Sequence, residues 1–276
     1  MSDTEQKTLR LGYFGRAALM PLLYPLEAGW VGAESPWKLE VAINTPSKVL
    51  DGLLMGEIDA GFVSPVALAQ HGQKLAALGG WGVVSEGISS AALLLAPQRL
   101  DLMDKSDVAL HPEAQGSTAE YLLRLLLKPY YDIELSLKKD GTEGHNLKEA
   151  RLLYGDRAVI EAEKRAPEWV AEDVGLAMWL LTGMPVVWEL MAGRRDLEER
   201  KPGAGEALKQ VVANSHKSGQ EQKAAVLDEA ASRLGVSIDK VKEMFGRHRY
   251  TLGEKEQKGL AQFLDMASRA GILRPN

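Results

Sequence analysis

Residues 38–71 read KLEVAINTPSKVLDGLLMGEIDAGFVSPVALAQH. The first six residues alternate in hydropathy as a half-buried strand does. Pro46 and Ser47 open a helix that runs through Met55, with the proline near a position that needs no backbone N–H, and Gly56 ends it. Residues 58–63 (IDAGFV) form a further strand, and 65–71 a short helix. A strand at 9–14 (LRLGYF) and a short helix at 20–29 precede them, so the order is β-α-β-α-β. Strands joined by helical crossovers run parallel, and this order predicts a parallel sheet covered by helices.

The alternation continues outward. Residues 80–96 hold two strand candidates split by Glu86 and Gly87. A second β-α-β block follows at 107–110, 117–128 and 132–137. Residues 151–155 (RLLYG) are a short strand, with a helix after Asp156 that this aspartate is placed to cap. A helix at 174–183 and a long strand at 185–193 (PVVWELMAG) close the block. From about 197 the pattern changes to consecutive helices at 203–216, 220–234, 237–246 and 254–270, with Ser237 and Thr251 as candidate caps. Residues 138–147 (KKDGTEGHNL) read as a solvated loop. Two α/β lobes joined by long strands at 88–96 and 185–193 make a hinged binding-protein architecture. The expected division is 9–92 with 188–276 as lobe I, including the C-terminal helices, and 93–187 as lobe II. A ligand would lie between them, where strand ends and helix N-termini converge.

The composition narrows the function classes. The chain has 276 residues, 45% hydrophobic and 26% charged, which suits a soluble globular protein with two cores. A formal net charge of -5 gives no footprint for nucleic acid. The absence of cysteine excludes disulfides, thiolate catalysis and zinc–thiolate sites. No apolar run approaches a membrane span, and the polar start MSDTEQK lacks a signal-peptide core, so a cytoplasmic location is expected. GxSxG, HExxH, P-loop and GxGxxG signatures are all missing, and no metal or cofactor is expected. The five histidines, His71, His111, His145, His216 and His248, show no metal-ligand spacing. His111 draws interest because it follows a strand at the expected cleft edge. His248, in GRHRY, reads as a basic surface or a packing contact.

Small hydroxylated residues recur at strand ends: Ser64 after DAGFV, Ser89 and Ser90 before AALLLAP, and Ser117 and Thr118 after DVAL. The last pair sits in a strand–loop–helix junction with Gly116. Ser117 and Glu120 fit a capping box, in which each side chain satisfies a free N–H of the other residue. The same helix start, with its unpaired N–H groups and partial positive charge, can receive a carboxylate. Both readings stay open on sequence alone. Arg16, just after the first strand, is either a forked donor for a ligand carboxylate or a solvated surface arginine.

Several stretches together resemble one family. They are LRLGYFGRAALMPLLYPLE (9–27), TPSKVLDGLLMGEIDAGFVSPVALAQH (45–71), SSAALLLAP (89–97) and STAEYLLRLLLKPYYDIE (117–134), followed by LLYGDRAVIEAE (152–163), DVGLAMWLLTGMPVVWELMAGRRD (173–196) and RYTLGEKEQKGLAQFLDMASRAGIL (249–273). In this order they are similar to the menaquinone-biosynthesis proteins of the futalosine route, whose best-known activity is chorismate dehydration. The resemblance implies a type II periplasmic-binding-protein-like fold. It also implies conversion of chorismate to 3-[(1-carboxyvinyl)oxy]benzoate and water, without cofactor or metal. Ser64, Ser90 and Thr118 fall where the family places substrate-contacting hydroxyls. Ala18 stands where the family usually carries an asparagine implied in catalysis, and Gly116 and Ala119 stand where it usually has serines. The expected substrate-binding set is therefore Arg16, Ser64, Ser90, Gly116, Ser117 and Thr118, with His111 as the candidate catalytic group. The alternative is a non-catalytic or diverged binding protein for a small carboxylated or aromatic ligand.

Overall fold

The segment 38–71 folds as β2 (Trp37–Ile43), α2 (Pro46–Met55), β3 (Ala60–Val63) and α3 (Pro65–Gln70). The coordinates are a computed structural model that describes residues 7–99, 102, 106–110, 114–131, 135–139, 150–164 and 167–273. The signals that bound α2 are local. Thr45 Oγ1 accepts from the Lys48 amide at 3.4 Å, Pro46 occupies the first turn, and Gly56 closes the helix at φ 77°. β1 (Lys7–Tyr13) pairs in parallel with both β2 and β3. Helix α2 sits close on this sheet because two positions lack a side chain. A Cβ on Gly61 would lie 2.8 Å from the Gly12 carbonyl and from Val49 Cγ1.

Two sheets organise the chain. The first has the order β11-β4-β10-β3-β1-β2, where β4 is Leu75–Ser85, β10 is Val186–Arg194 and β11 is His248–Thr251. β10 runs antiparallel to β3 and β4, and β11 antiparallel to β4. The second sheet has the order β7-β6-β8-β5-β9. Its strands are β5 (Ala92–Ala96), β6 (Ser106–Leu110), β7 (Leu135–Lys139), β8 (Ala150–Tyr154) and β9 (Val170–Asp173). Helices α4 (Thr118–Tyr131), α5 (Asp156–Lys164) and α6 (Val174–Thr182) belong to this half.

The connection between the sheets differs from the two spanning strands expected at 88–96 and 185–193. β10 lies wholly in the first sheet and β5 wholly in the second. The chain crosses at 86–91, where Gly87 and Ser90 take positive φ (85° and 58°), so no strand can continue. The Asp173 carboxylate holds this bend. It accepts from the Ser89 and Ser90 amides (3.0 and 2.7 Å) and from the Ser89 hydroxyl (3.1 Å), while also capping α6 through Leu176 N (2.9 Å).

β9 and β11 were not expected. Each has four residues and lies at a sheet edge, too short for alternation to register. The helices of the last third are α8 (Ala204–Glu221), α9 (Lys223–Leu234), α10 (Ile238–Arg247) and α11 (Glu254–Arg269), after the short α7 (Leu197–Arg200). Ser237 caps α10 by accepting from Lys240 N at 3.3 Å. Thr251 does not cap α11, because it ends β11; there Glu256 accepts from the Gly253 amide at 2.9 Å instead. α9 and α10 share one apolar cluster with Ala17 and Met20 from the first half and Val159 from α5. They therefore bridge the two sheet layers rather than trailing from one.

Candidate functional site

Arg16 lies where β1 ends, at the start of a single 3-10 turn (Ala17–Leu19) that leads into α1 (Met20–Glu27). It is not a solvated surface arginine. It is 8% exposed, and its guanidinium lies over the rings of Phe14 (4.8 Å) and Tyr154 (4.2 Å). Its Nη1 donates to Glu189 Oε1 at 2.5 Å, and the Tyr154 hydroxyl donates to the same oxygen at 3.2 Å. Glu189 stands on β10, beside β3, while Tyr154 ends β8 of the second sheet. The cluster thus joins the two lobes at the ends of their strands.

Its electrostatics follow from burial. Glu189 is 3% exposed, and loss of water pushes its carboxyl up, against the opposing pull of Arg16 and the Tyr154 hydrogen bond. Burial also raises the Tyr154 phenol well above its ordinary value, and the Glu189 charge adds to it, so Tyr154 is a neutral donor at pH 7. The other carboxylate oxygen, Glu189 Oε2, is buried and makes no hydrogen bond. A buried carboxylate with one occupied and one open oxygen, held by a cation, is equipped to take up a proton.

The helix start at 116–118 satisfies itself. Ser117 Oγ accepts from Glu120 N (3.4 Å) and donates to the Ala114 carbonyl (2.6 Å). Glu120 returns to the Gly116 amide (2.8 Å) and is held by Arg124 (2.7 Å). The capping reading is therefore realised, shifted by one residue on the amide side. Thr118 is fully buried, and its hydroxyl donates to the Trp188 carbonyl at 2.9 Å, next to Glu189 on β10. Ser64 caps α3 through Ala67 N (3.1 Å) and makes a long 3.5 Å contact to the Gly116 carbonyl.

Arg16, Ser64, Gly116, Ser117 and Thr118 thus meet along one seam between the lobes. Ser90 stands apart. Its hydroxyl accepts from Arg247, and it lines a separate hollow of about 280 Å³ with Asp173 and Lys240. His111 lies outside the described residues, as does most of the 138–147 loop. Asp156 does more than stand at the head of α5: its Oδ1 accepts from Ala17 N at 3.0 Å, across the seam from the second sheet to the turn after Arg16. Ala18, beside it, presents a buried methyl group. Glu189 and Tyr154 escaped the sequence reading. The usable signal was Glu189 itself, a single charge inside the apolar run PVVWELMAG, where an unpaired charge is too costly to bury.

Among the described residues no group of three or more His, Asp or Glu could hold a metal, and no helix is long and apolar enough to cross a membrane. Residues 9–269 match the family model described as menaquinone biosynthesis. Among solved structures, protein AF1704 from Archaeoglobus fulgidus is similar over 98% of this chain and 100% of its own, at 18% identity and a TM-score of 0.78. The alkanesulfonate-binding protein SsuA from Xanthomonas axonopodis pv. citri, bound to MOPS, covers 98% of this chain and 96% of its own at 15% identity, with a TM-score of 0.70. The Candida albicans CA3427 product, described as having the generic periplasmic binding protein fold, covers 98% and 92% at 12% identity, with a TM-score of 0.66. The fold is therefore that of the periplasmic binding proteins, with helices added at the C-terminal end.

Proposed function

The chain belongs to the menaquinone-biosynthesis family, and from that premise we propose that it is a dehydratase-like lyase that binds chorismate, or a close relative, between its lobes and removes water from it. The observation that carries this reading is the buried Arg16–Glu189–Tyr154 cluster at the interlobe seam. Ligand entry requires the lobes to part. That separation breaks the Arg16–Tyr154 stacking and the Ala17–Asp156 bond, whereas Arg16 and Glu189 stay together on one sheet layer. An open cleft then presents a cation and a carboxylate side by side. Arg16 receives a ligand carboxylate, and the Ser64 and Thr118 hydroxyls flank the ring.

In the reaction a ring C–H bond and the neighbouring C–O bond break. Glu189 takes the proton, hydroxide leaves, and the two combine as water, which regenerates the carboxylate. Aromatisation supplies the driving force, and closure excludes bulk water while the ring is held. The balance needs no electron carrier. Incubating the purified chain with chorismate and following 3-[(1-carboxyvinyl)oxy]benzoate by mass spectrometry tests this: the product forms if the reading holds, and its absence rejects it.

A second reading is favoured by two observations. Ala18 replaces the family's asparagine with a methyl group, and Glu189 already neutralises Arg16. A protein that binds a small carboxylate without turning it over would show a chorismate-induced rise in Tm with no product.

A further inference from the structure

Among the described residues the chain crosses between the sheets at 86–91, from β4 to β5, and returns at 183–185, from α6 to β10. The two crossings leave the first sheet side by side, because Ser85 pairs with Val186. On its other side Ser85 pairs with His248, which brings β11 and the start of α11 to the same place. This C-terminal segment grips both crossings. Glu86 accepts from Arg249 on β11 and from Lys255 on α11. α11 lies against the return crossing at Gly259, where a Cβ would stand 2.4 Å from the Pro185 carbonyl oxygen. Glu86 follows β4 and Pro185 precedes β10, so these contacts stay on the first sheet's side. Arg247 reaches further. It ends α10, immediately before β11, and its guanidinium donates to the Ser90 hydroxyl and to Glu243 one turn back. Ser90 belongs with the second sheet, since Asp173, at the end of β9, accepts from its amide at 2.7 Å. The Arg247–Ser90 bond therefore spans the hinge. Beside it the hollow of about 280 Å³ keeps α10 and the second lobe apart. Val159 of α5 also packs under α9 and α10, but apolar contact is non-directional, whereas a hydrogen bond fixes an angle.

We propose that residues 247–259 splint the hinge, and that the Arg247–Ser90 bond is a latch that holds the lobes closed. When the seam parts, the second lobe turns about the Ser85–Val186 pair. Glu86 and Pro185 stay splinted to the first sheet, and Ser90 moves away from Arg247. The C-terminal helices thus set how readily the cleft opens, from the side of the molecule opposite to ligand entry in sequence and without a ligand contact of their own. The inference rests on the reading that the lobes part to admit a ligand, and not on which ligand enters or whether it reacts.

Interlobe distance tests the proposal directly. The chain has no cysteine, so Lys48→Cys on α2 and Arg157→Cys on α5, both exposed and on opposite lobes, give two unique sites for nitroxide labels. Double electron–electron resonance on the unliganded full chain should show the closed distance with a minor longer one. Arg247→Met and Ser90→Ala in this background should each raise the ratio of longer to shorter distance about fivefold, as loss of one half-exposed charged hydrogen bond does. The double variant should go no further, because both changes remove the same bond. Arg247→Met keeps an apolar stem at a half-exposed helix end, so the fold persists. Lys242→Met takes a charge from the exposed pair with Asp239 on the same helix and should leave the ratio unchanged. An unchanged ratio in Arg247→Met or in Ser90→Ala overturns the proposal. So does an additive double variant, an equal shift in Lys242→Met, or a wild type without the closed distance. Chorismate takes no part in the measurement, so failure of the dehydratase reading and failure of the latch are told apart.

Discussion

Between the lobes, Arg16, Glu189 and Tyr154 are buried and bonded to one another, whereas on β11 the His248 ring nitrogens and the Tyr250 hydroxyl are buried without a hydrogen-bond partner. The difference is one of charge. A guanidinium and a carboxylate leave water only together, because an isolated buried ion costs several kcal/mol or more. A neutral imidazole and a phenol can wait without partners at a smaller cost. The seam thus pairs its charges within the chain, leaves only Glu189 Oε2 without a partner, and must be opened. The β11 groups are left unpaired within the chain and out of reach of solvent.

Breaking the seam should have the largest effect. Arg16→Met leaves Glu189 buried without its cation, and removal of one member of such a pair costs about 3–5 kcal/mol. Urea denaturation should read that loss. The double variant Arg16→Met/Glu189→Leu should recover most of it; if the double variant is as unstable as the single, the seam owes its stability to something other than charge pairing.

β11 should answer to pH instead. His248 is neutral in the fold, with its pKa pushed down to about 4 by burial, while in the unfolded chain it takes a proton near pH 6.5. The unfolded state therefore binds more protons as pH falls below 6.5, and stability declines. Between pH 7.5 and 5 this contributes a loss of about 2 kcal/mol. In His248→Gln that contribution to the pH slope should vanish. An unchanged slope would mean that the ring is not held neutral.

Two smaller changes sharpen the contrast. Tyr154→Phe removes the hydroxyl that donates to Glu189 and should cost about 1.5 kcal/mol, as a hydrogen bond to a charged group does. Thr118→Val should cost about 1 kcal/mol, since it leaves the Trp188 carbonyl without its donor. Thermal denaturation orders the two. An equal or reversed order would mean that the seam's hydrogen bonds do not draw on the buried charge.

How much of this was legible in the sequence depends on range. Alternation in 38–43, Pro46 in the first turn, Gly56 at the helix end and the Ser117–Glu120 cap are all local signals, and each appears in the structure close to where it was read. Arg16 and Glu189 are 173 residues apart, and no spacing rule pairs them. Their meeting depends on β10 lying beside β3, which lies beside β1. Ser90 shares its residue type and its place near a strand with Ser64, yet Asp173 and Arg247 hold it in another hollow. Local chemistry proposed the hydroxyls, and long-range register decided which of them share a site. β9 and β11 were too short to show a period, so the strand that carries His248 and Tyr250 was invisible too.

The most direct measurement on the seam is the chorismate reaction of wild type and Glu189→Gln, with kcat and KM obtained separately. If Glu189 is the base, kcat falls about a hundredfold or more while KM changes little. Turnover at the wild-type rate in Glu189→Gln would contradict the account.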